Sequence, residues 1–149
     1  MTQIFVLDTG PLGEVTDNPH KARVRVALAR LHELGTGARL VIPEIADYEL
    51  RRELLRTAAT RSIHRLNDLK TMFLYDPITT DAMLLAAQFW ADSRRRGMPT
   101  ADPHALDGDA ILAAQATLLA SPGARVTVLT TNVGHLAQFV DARDWETIG

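Results

Sequence analysis

Cysteine is absent from the 149 residues, which excludes a disulfide framework, a zinc–thiolate centre and a thiol nucleophile. A reducing cytoplasm is therefore the expected compartment. Aromatic residues make up 5%, and Phe5, Phe73, Phe89 and Phe139 all fall in apolar runs, where core packing accounts for them. Charge of one sign is not in excess either. The formal net charge is -2, so contact with a polyanion would have to use a local patch rather than a global field. No stretch approaches the length of a membrane span, and Met1-Thr-Gln-Ile-Phe-Val-Leu-Asp8 lacks the basic segment and long apolar run of a signal peptide. What the chain does have is 46% hydrophobic and 23% charged residues. That suits one compact domain, residues 1–149, with a core of its own and no internal repeat or linker.

Apolar runs alternate with helical patterns, the signature of βαβ units and a mainly parallel sheet. The pattern predicts strands at 3–7, 39–42 and 125–129 and a weaker one at 72–75. Their continuous apolar character suits strands covered on both faces. Helices are predicted at 20–34, 43–60, 62–70, 80–96, 109–119 and 133–139. Pro43 can occupy a first helical position, Thr79 or Thr80 can cap the next helix, and Gly35 and Gly97 can close helices in the left-handed conformation. Residues 97–108, with Pro99 and Pro103, read as an ordered loop.

Three acids fall where such a fold concentrates chemistry. Asp8 directly follows Ile4-Phe5-Val6-Leu7, Glu49 lies inside the 43–56 helical stretch, and Asp109 opens Asp109-Ala-Ile-Leu-Ala-Ala-Gln-Ala116. In open α/β sheets ligands collect beyond the carboxyl ends of the strands, and three carboxylates gathered there would bind a divalent metal. Each acid also has an ordinary explanation. Asp8 can form an Asx-turn or cap a short helix at Pro11. Glu49 points between the directions of Ile45 and Ala46 and can pair with Arg52, and periodicity alone does not separate it from Glu53. Asp109 can favour a helix macrodipole, with Asp107 the better N-cap.

The order and spacing of four short motifs carry a resemblance. Leu7-Asp8-Thr9, then Ile42-Pro43-Glu44-Ile45 with Glu49-Leu50-Arg51-Arg52, then Asp109-Ala-Ile-Leu-Ala-Ala114, then Thr130-Thr131-Asn132 together resemble a PIN domain nearly end to end. The likeness is strongest to the small bacterial VapC-type toxins of toxin–antitoxin pairs. It implies a three-layer α/β/α fold around a mainly parallel sheet of four to five strands. It also implies a Mg²⁺- or Mn²⁺-dependent endoribonuclease with Asp8, Glu49 and Asp109 as metal ligands and catalytic acids. Thr9, Thr131 and Asn132 would support them, and the products would carry 5′-phosphate and 3′-hydroxyl ends. A small antitoxin and a homodimer follow from the same resemblance, with the amphipathic segments 22–34 and 43–59 as candidate surfaces.

One position departs from the pattern. Many relatives carry a fourth acid three residues after the position of Asn132, and here it is His135. Three acids suffice for one Mg²⁺, which keeps several waters, and imidazole favours transition metals; His135 can bias the site toward Mn²⁺, contact phosphate as a cation, or simply cap local backbone. Asp107 and Asp141 are possible substitutes. Arg51, Arg52 and Arg56 are candidates for RNA phosphate contacts, whereas Arg94 to Arg96 suit the end of their own helix. A haloacid-dehalogenase-type phosphatase would need a second acid at position 10, which is Gly10. The remaining alternative is a catalytically impaired PIN-like module that binds RNA or protein without cutting.

Overall fold

The structure, a computed structural model, describes residues 1–97 and 103–148. Five strands, β1 (Thr2–Leu7), β2 (Arg39–Pro43), β3 (Leu74–Asp76), β4 (Ala124–Thr130) and β5 (Ala142–Asp144), form one sheet in the order β3-β2-β1-β4-β5. Every neighbouring pair is parallel. Seven helices are described: α1 (Thr9–Thr16), α2 (Ala22–Gly37), α3 (Glu44–Arg56), α4 (Thr60–Met72), α5 (Thr80–Arg95), α6 (Pro103–Leu119) and α7 (Val133–Leu136). The chain moves from β1 outward through β2 and β3, then returns to the other side of β1 for β4 and β5. The order therefore reverses between β1 and β4, the point at which open α/β sheets have their ligand crevice, at the strands' carboxyl ends.

Alternation along the inner strands explains the two covered faces. Leu7, Leu40, Ile42 and Leu129 pack with Leu12, Leu31, Ala46, Leu50 and Leu66 of α1 to α4, and with Trp145 of the C-terminal tail. Val6, Val41 and Val128 point the other way, onto Leu112 and Ala116 of α6 and Leu136 of α7. α5 lies against α6 through small side chains, Ala82 and Ala86 on one and Ala110 and Ala114 on the other, which lets the two helices approach closely.

Several expectations need correction. The short α1 directly after Asp8 and the three-residue edge strand β5 were not in the predicted set. Pro43 ends β2 and stands at the N-cap of α3, not in its first turn. Gly35 does not close α2, which runs on to Gly37; it is helical, and a Cβ there would lie 3.2 Å from Leu40 Cδ1. Gly97 does follow α5 in the left-handed region, with φ 65°. The loop expected over 97–108 is helical from Pro103 onward, while Pro99 lies outside the described residues. In the amphipathic segments Val24, Leu31 and Ile45 are buried, but Val26, Tyr48 and Leu55 are exposed.

Candidate active site

The carboxyl end of β1 delivers Asp8 into the crevice between β1 and β4. Its backbone amide donates to Leu129 O at 3.0 Å, continuing the pairing of β1 with β4. The side chain then caps α1, its Oδ1 accepting from the Thr9 amide at 2.8 Å. Its other oxygen, Oδ2, accepts from the Thr130 hydroxyl at 2.8 Å. Thr130 is fully buried and also accepts from the Asn132 amide at 2.9 Å. Sequence reasoning passed over Thr130 in favour of Thr131. The signal was the parallel register, Leu7 opposite Leu129, which sets the next residue of each strand side by side.

Glu49 reaches the same place from the second turn of α3. Thr9 donates its hydroxyl to Glu49 Oε1 at 2.9 Å, a bond that selects Glu49 over Glu53, since Glu53 instead pairs with Arg56 on the exposed face. On the α6 side the carboxylate lies where a side chain at Gly108 would begin: a Cβ there would stand 2.6 Å from Glu49 Oε2. Glycine at 108 thus brings Glu49 against the backbone next to Asp109. Asp109 faces the crevice, with His135 Nδ1 at 3.7 Å from its Oδ2.

The electrostatics follow from this crowding. Burial is the largest influence on all three acids and raises each carboxyl above its ordinary range. The hydrogen bonds from Thr130 and Thr9 partly offset this at Asp8, and that from Thr9 does so at Glu49. The charge of Asp8 raises both of the others, and Glu49 adds to the effect on Asp109, which is pushed up to about 6 despite the opposing influence of His135. Arg52 answers this field only at a distance, its Nη2 lying 3.9 Å from Glu49 Oε2. Oxygen donors with mutually unfavourable charge are the set that hard divalent cations take, so the donor chemistry fits Mg²⁺ or Mn²⁺. Among the described residues no three carboxylate, imidazole or thiolate side chains already close around one ion position.

The auxiliary candidates divide. Asn132 Nδ2 lies 2.9 Å from His135 Nδ1, so the two side chains form one polar pair beside Asp109. Thr131 is exposed, and its Oγ1 would stand 2.8 Å from a Cβ at Gly10. Asp107 is not the N-cap of α6: it lies within the helix, exposed, and lines a groove with Met83 and Trp90 of α5. Asp141 accepts from Thr127 Oγ1 at 3.0 Å, toward the opposite end of β4. Neither acid substitutes for the missing fourth carboxylate. Of the arginines, Arg51 is committed to Asp47 at 2.9 Å and to Asn67, and Arg56 to Glu53 at 2.8 Å. Arg52 stands at the site, its guanidinium 5.1 Å over the exposed Tyr48 ring.

No protein-family model and no curated protein matches the sequence, but solved structures match its fold over almost the whole chain. VapBC2 from Rickettsia felis, bound to a DNA fragment from their promoter, superposes with a TM-score of 0.72 at 14% identity, covering 95% of this chain and 98% of that one. DNA-bound VapBC from Salmonella typhimurium gives 0.72 at 20% identity, covering 97% and 99%. VapC20 from Mycobacterium tuberculosis, a Sarcin-Ricin loop cleaving toxin, gives 0.57 at 19% identity, covering 94% and 98%. With its five parallel strands and flanking helices, the chain has the PIN-like fold of these VapC proteins.

Proposed function

We propose that this chain is a divalent-metal-dependent endoribonuclease that hydrolyses RNA phosphodiester bonds as the toxin of a toxin–antitoxin pair. The observation that carries the reading is the convergence of Asp8, Glu49 and Asp109 at the β1/β4 crevice, where Thr130 and Thr9 hold the first two and Arg52 and His135 offset the crowded negative charge only in part. Fold likeness to a Sarcin-Ricin loop cleaving toxin and to VapBC complexes supports the substrate class and a small antitoxin partner.

Asp8, Glu49 and Asp109 would hold Mg²⁺ or Mn²⁺. Such an ion, when bound, polarises the phosphodiester, offsets charge on the attacking and leaving oxygens and lowers the pKa of a bound water. The chain's own groups do the rest. Thr130 and Thr9 keep Asp8 and Glu49 oriented, as ligands of a metal site require. The carboxylates would act chiefly as ligands, with one of the three placed to accept the proton of the attacking water. Arg52, exposed and held only loosely to Glu49 at 3.9 Å, is placed to meet a phosphate oxygen, a charge-assisted contact. The exposed Val26, Tyr48 and Leu55 offer apolar surface to the antitoxin or a second copy.

Incubation of the purified protein with labelled single-stranded RNA tests this. Cleavage that requires Mg²⁺ or Mn²⁺, stops in EDTA and leaves 5′-phosphate and 3′-hydroxyl ends supports the reading. Ends carrying 2′,3′-cyclic phosphate, or cutting indifferent to EDTA, would refute it. RNA binding without any cutting would favour the impaired module, which the histidine at position 135 keeps in view.

A further inference from the structure

The helix that carries Glu49 begins without a cap of its own. Pro43 stands at its N-cap and makes no side-chain hydrogen bond there, yet the first amides of a helix need acceptors. The Ile45 amide finds one across the molecule, donating to Gln115 Oε1 on α6 at 3.2 Å. Gln115 is 1% exposed. Its Nε2 donates to the Asp76 carbonyl at 2.7 Å and to Asp76 Oδ2 at 3.2 Å. Those two acceptors define which end of the amide is nitrogen and leave its oxygen to Ile45. A single side chain therefore joins α6, the start of α3 and the end of β3. Glu44 holds the same corner from the α3 side, accepting from the Ile78 amide at 2.8 Å and from the Tyr75 hydroxyl at 3.0 Å.

The positions of the acids give this bond its consequence. Glu49 follows Ile45 by about one helical turn, and Asp109 precedes Gln115 by under two turns. Over such lengths a helix is stiff, so the Gln115–Ile45 bond helps fix how far the two acids stand apart, alongside the close approach of Glu49 to Gly108. The neighbours Ala113, Ala114 and Ala116 are all buried, and a lone amide among them is costly unless each of its bonds is made. An apolar residue at 115 with a local cap on α3 would serve packing as well, but it would not tie one helix to the other.

We propose that Gln115 is a positioning residue for the Glu49–Asp109 pair, helping to fix their separation by capping α3 from α6. This rests on the metal-nuclease reading given above.

Two variants test it: Gln115→Met, of similar length without the amide, and Gln115→Met combined with Pro43→Ser. The backbone at 43, φ -77° and ψ 143°, suits a capping hydroxyl. The readouts are melting temperature, Mn²⁺ affinity by calorimetry and RNA cleavage across a Mn²⁺ titration. Gln115→Met is expected to melt lower and to bind Mn²⁺ about tenfold more weakly or worse, with cleavage recovering part of its rate at high Mn²⁺. The added serine is expected to restore melting but not Mn²⁺ affinity. Where Gln115→Met alone does not fold, the double variant carries the test. Mn²⁺ affinity within about twofold of wild type in the folded variants, or affinity that returns together with melting temperature, would overturn the proposal and leave Gln115 a packing residue. A wild-type protein that binds no Mn²⁺ and cuts no RNA would overturn the nuclease reading and this inference with it. That outcome is distinct from a functional wild type whose variants are unmoved.

Discussion

Replacing Asp109 by asparagine is expected to make the metal-free protein more stable. The Asp109 carboxyl is raised from 3.8 to about 6, first by burial, then by Asp8, with Glu49 adding and His135 opposing. A shift of about 2 units corresponds to about 3 kcal/mol between the two protonation states. The side chain is 21% exposed, so screening and relaxation reduce the penalty to about 1–3 kcal/mol. The sign follows from proton uptake. A carboxyl with a raised folded pKa binds its proton more firmly in the native state, so its contribution is most favourable below the unfolded value and declines as pH rises through 3.8 to about 6. Above that window the full penalty falls on the aspartate and none on an asparagine. In EDTA at neutral pH, circular dichroism should show Asp109→Asn melting about 3–9 °C above wild type, at about 3 °C per kcal/mol for a chain of this size. The gap should close in acid below the window. Millimolar Mn²⁺ should reverse the order, because a ligand that binds only the native wild type stabilises it by mass action. A variant that melts level with or below wild type in EDTA would refute the reasoning.

The remaining expectations separate activity from stability. Gly108→Ala puts a Cβ where Glu49 Oε2 now lies; RNA cleavage should fall about tenfold or more. Melting temperature should hold or rise, because alanine is favoured over glycine inside a helix by about 1 kcal/mol. Thr130→Val removes a buried hydroxyl that serves both Asp8 and Asn132, so denaturant titration should show a loss of about 1–3 kcal/mol. Because Thr130 lowers the Asp8 pKa, the acid limb of the pH–rate profile should also move to higher pH. Arg52→Ala should weaken RNA binding and flatten its salt dependence, measured by fluorescence anisotropy. Arg51→Ala should instead destabilise the fold by withdrawing a partner from the buried Asp47. Ala58 closes α3 in the left-handed region at φ 55°, with Ala59 N donating to Leu54 O and Ala58 N to Leu55 O. Ala58→Gly should therefore raise stability by about 1 kcal/mol in thermal unfolding.

The inner strands were legible because burial on both faces writes them as continuous apolar runs, as in Ile4-Phe5-Val6-Leu7 and Leu40-Val41-Ile42. β5 was not, since its three residues Ala142-Arg143-Asp144 pair along one edge only and need no apolar pattern. α1 was hidden by Gly10, Pro11 and Gly13, residues that read as turn formers until Asp8 is seen to cap them into a helix. Asp8 was legible as a strand end. The choice of Glu49 over Glu53 depends on Thr9, and the role of Thr130 depends on strand register, both of them tertiary facts. Asp107 misled because the proline-bearing stretch before Asp109 reads as loop, whereas Pro103 already stands at a helix start, where its missing amide costs nothing.

The most direct test compares wild type with Asp8→Asn, Glu49→Gln and Asp109→Asn for the initial rate of Mn²⁺-dependent cleavage of one labelled single-stranded RNA, each protein first shown to be folded. The account expects wild-type cleavage and a loss of about a hundredfold or more in each variant, because each removes one charged oxygen ligand from a shared site. Folded variants that cut as fast as wild type would contradict it.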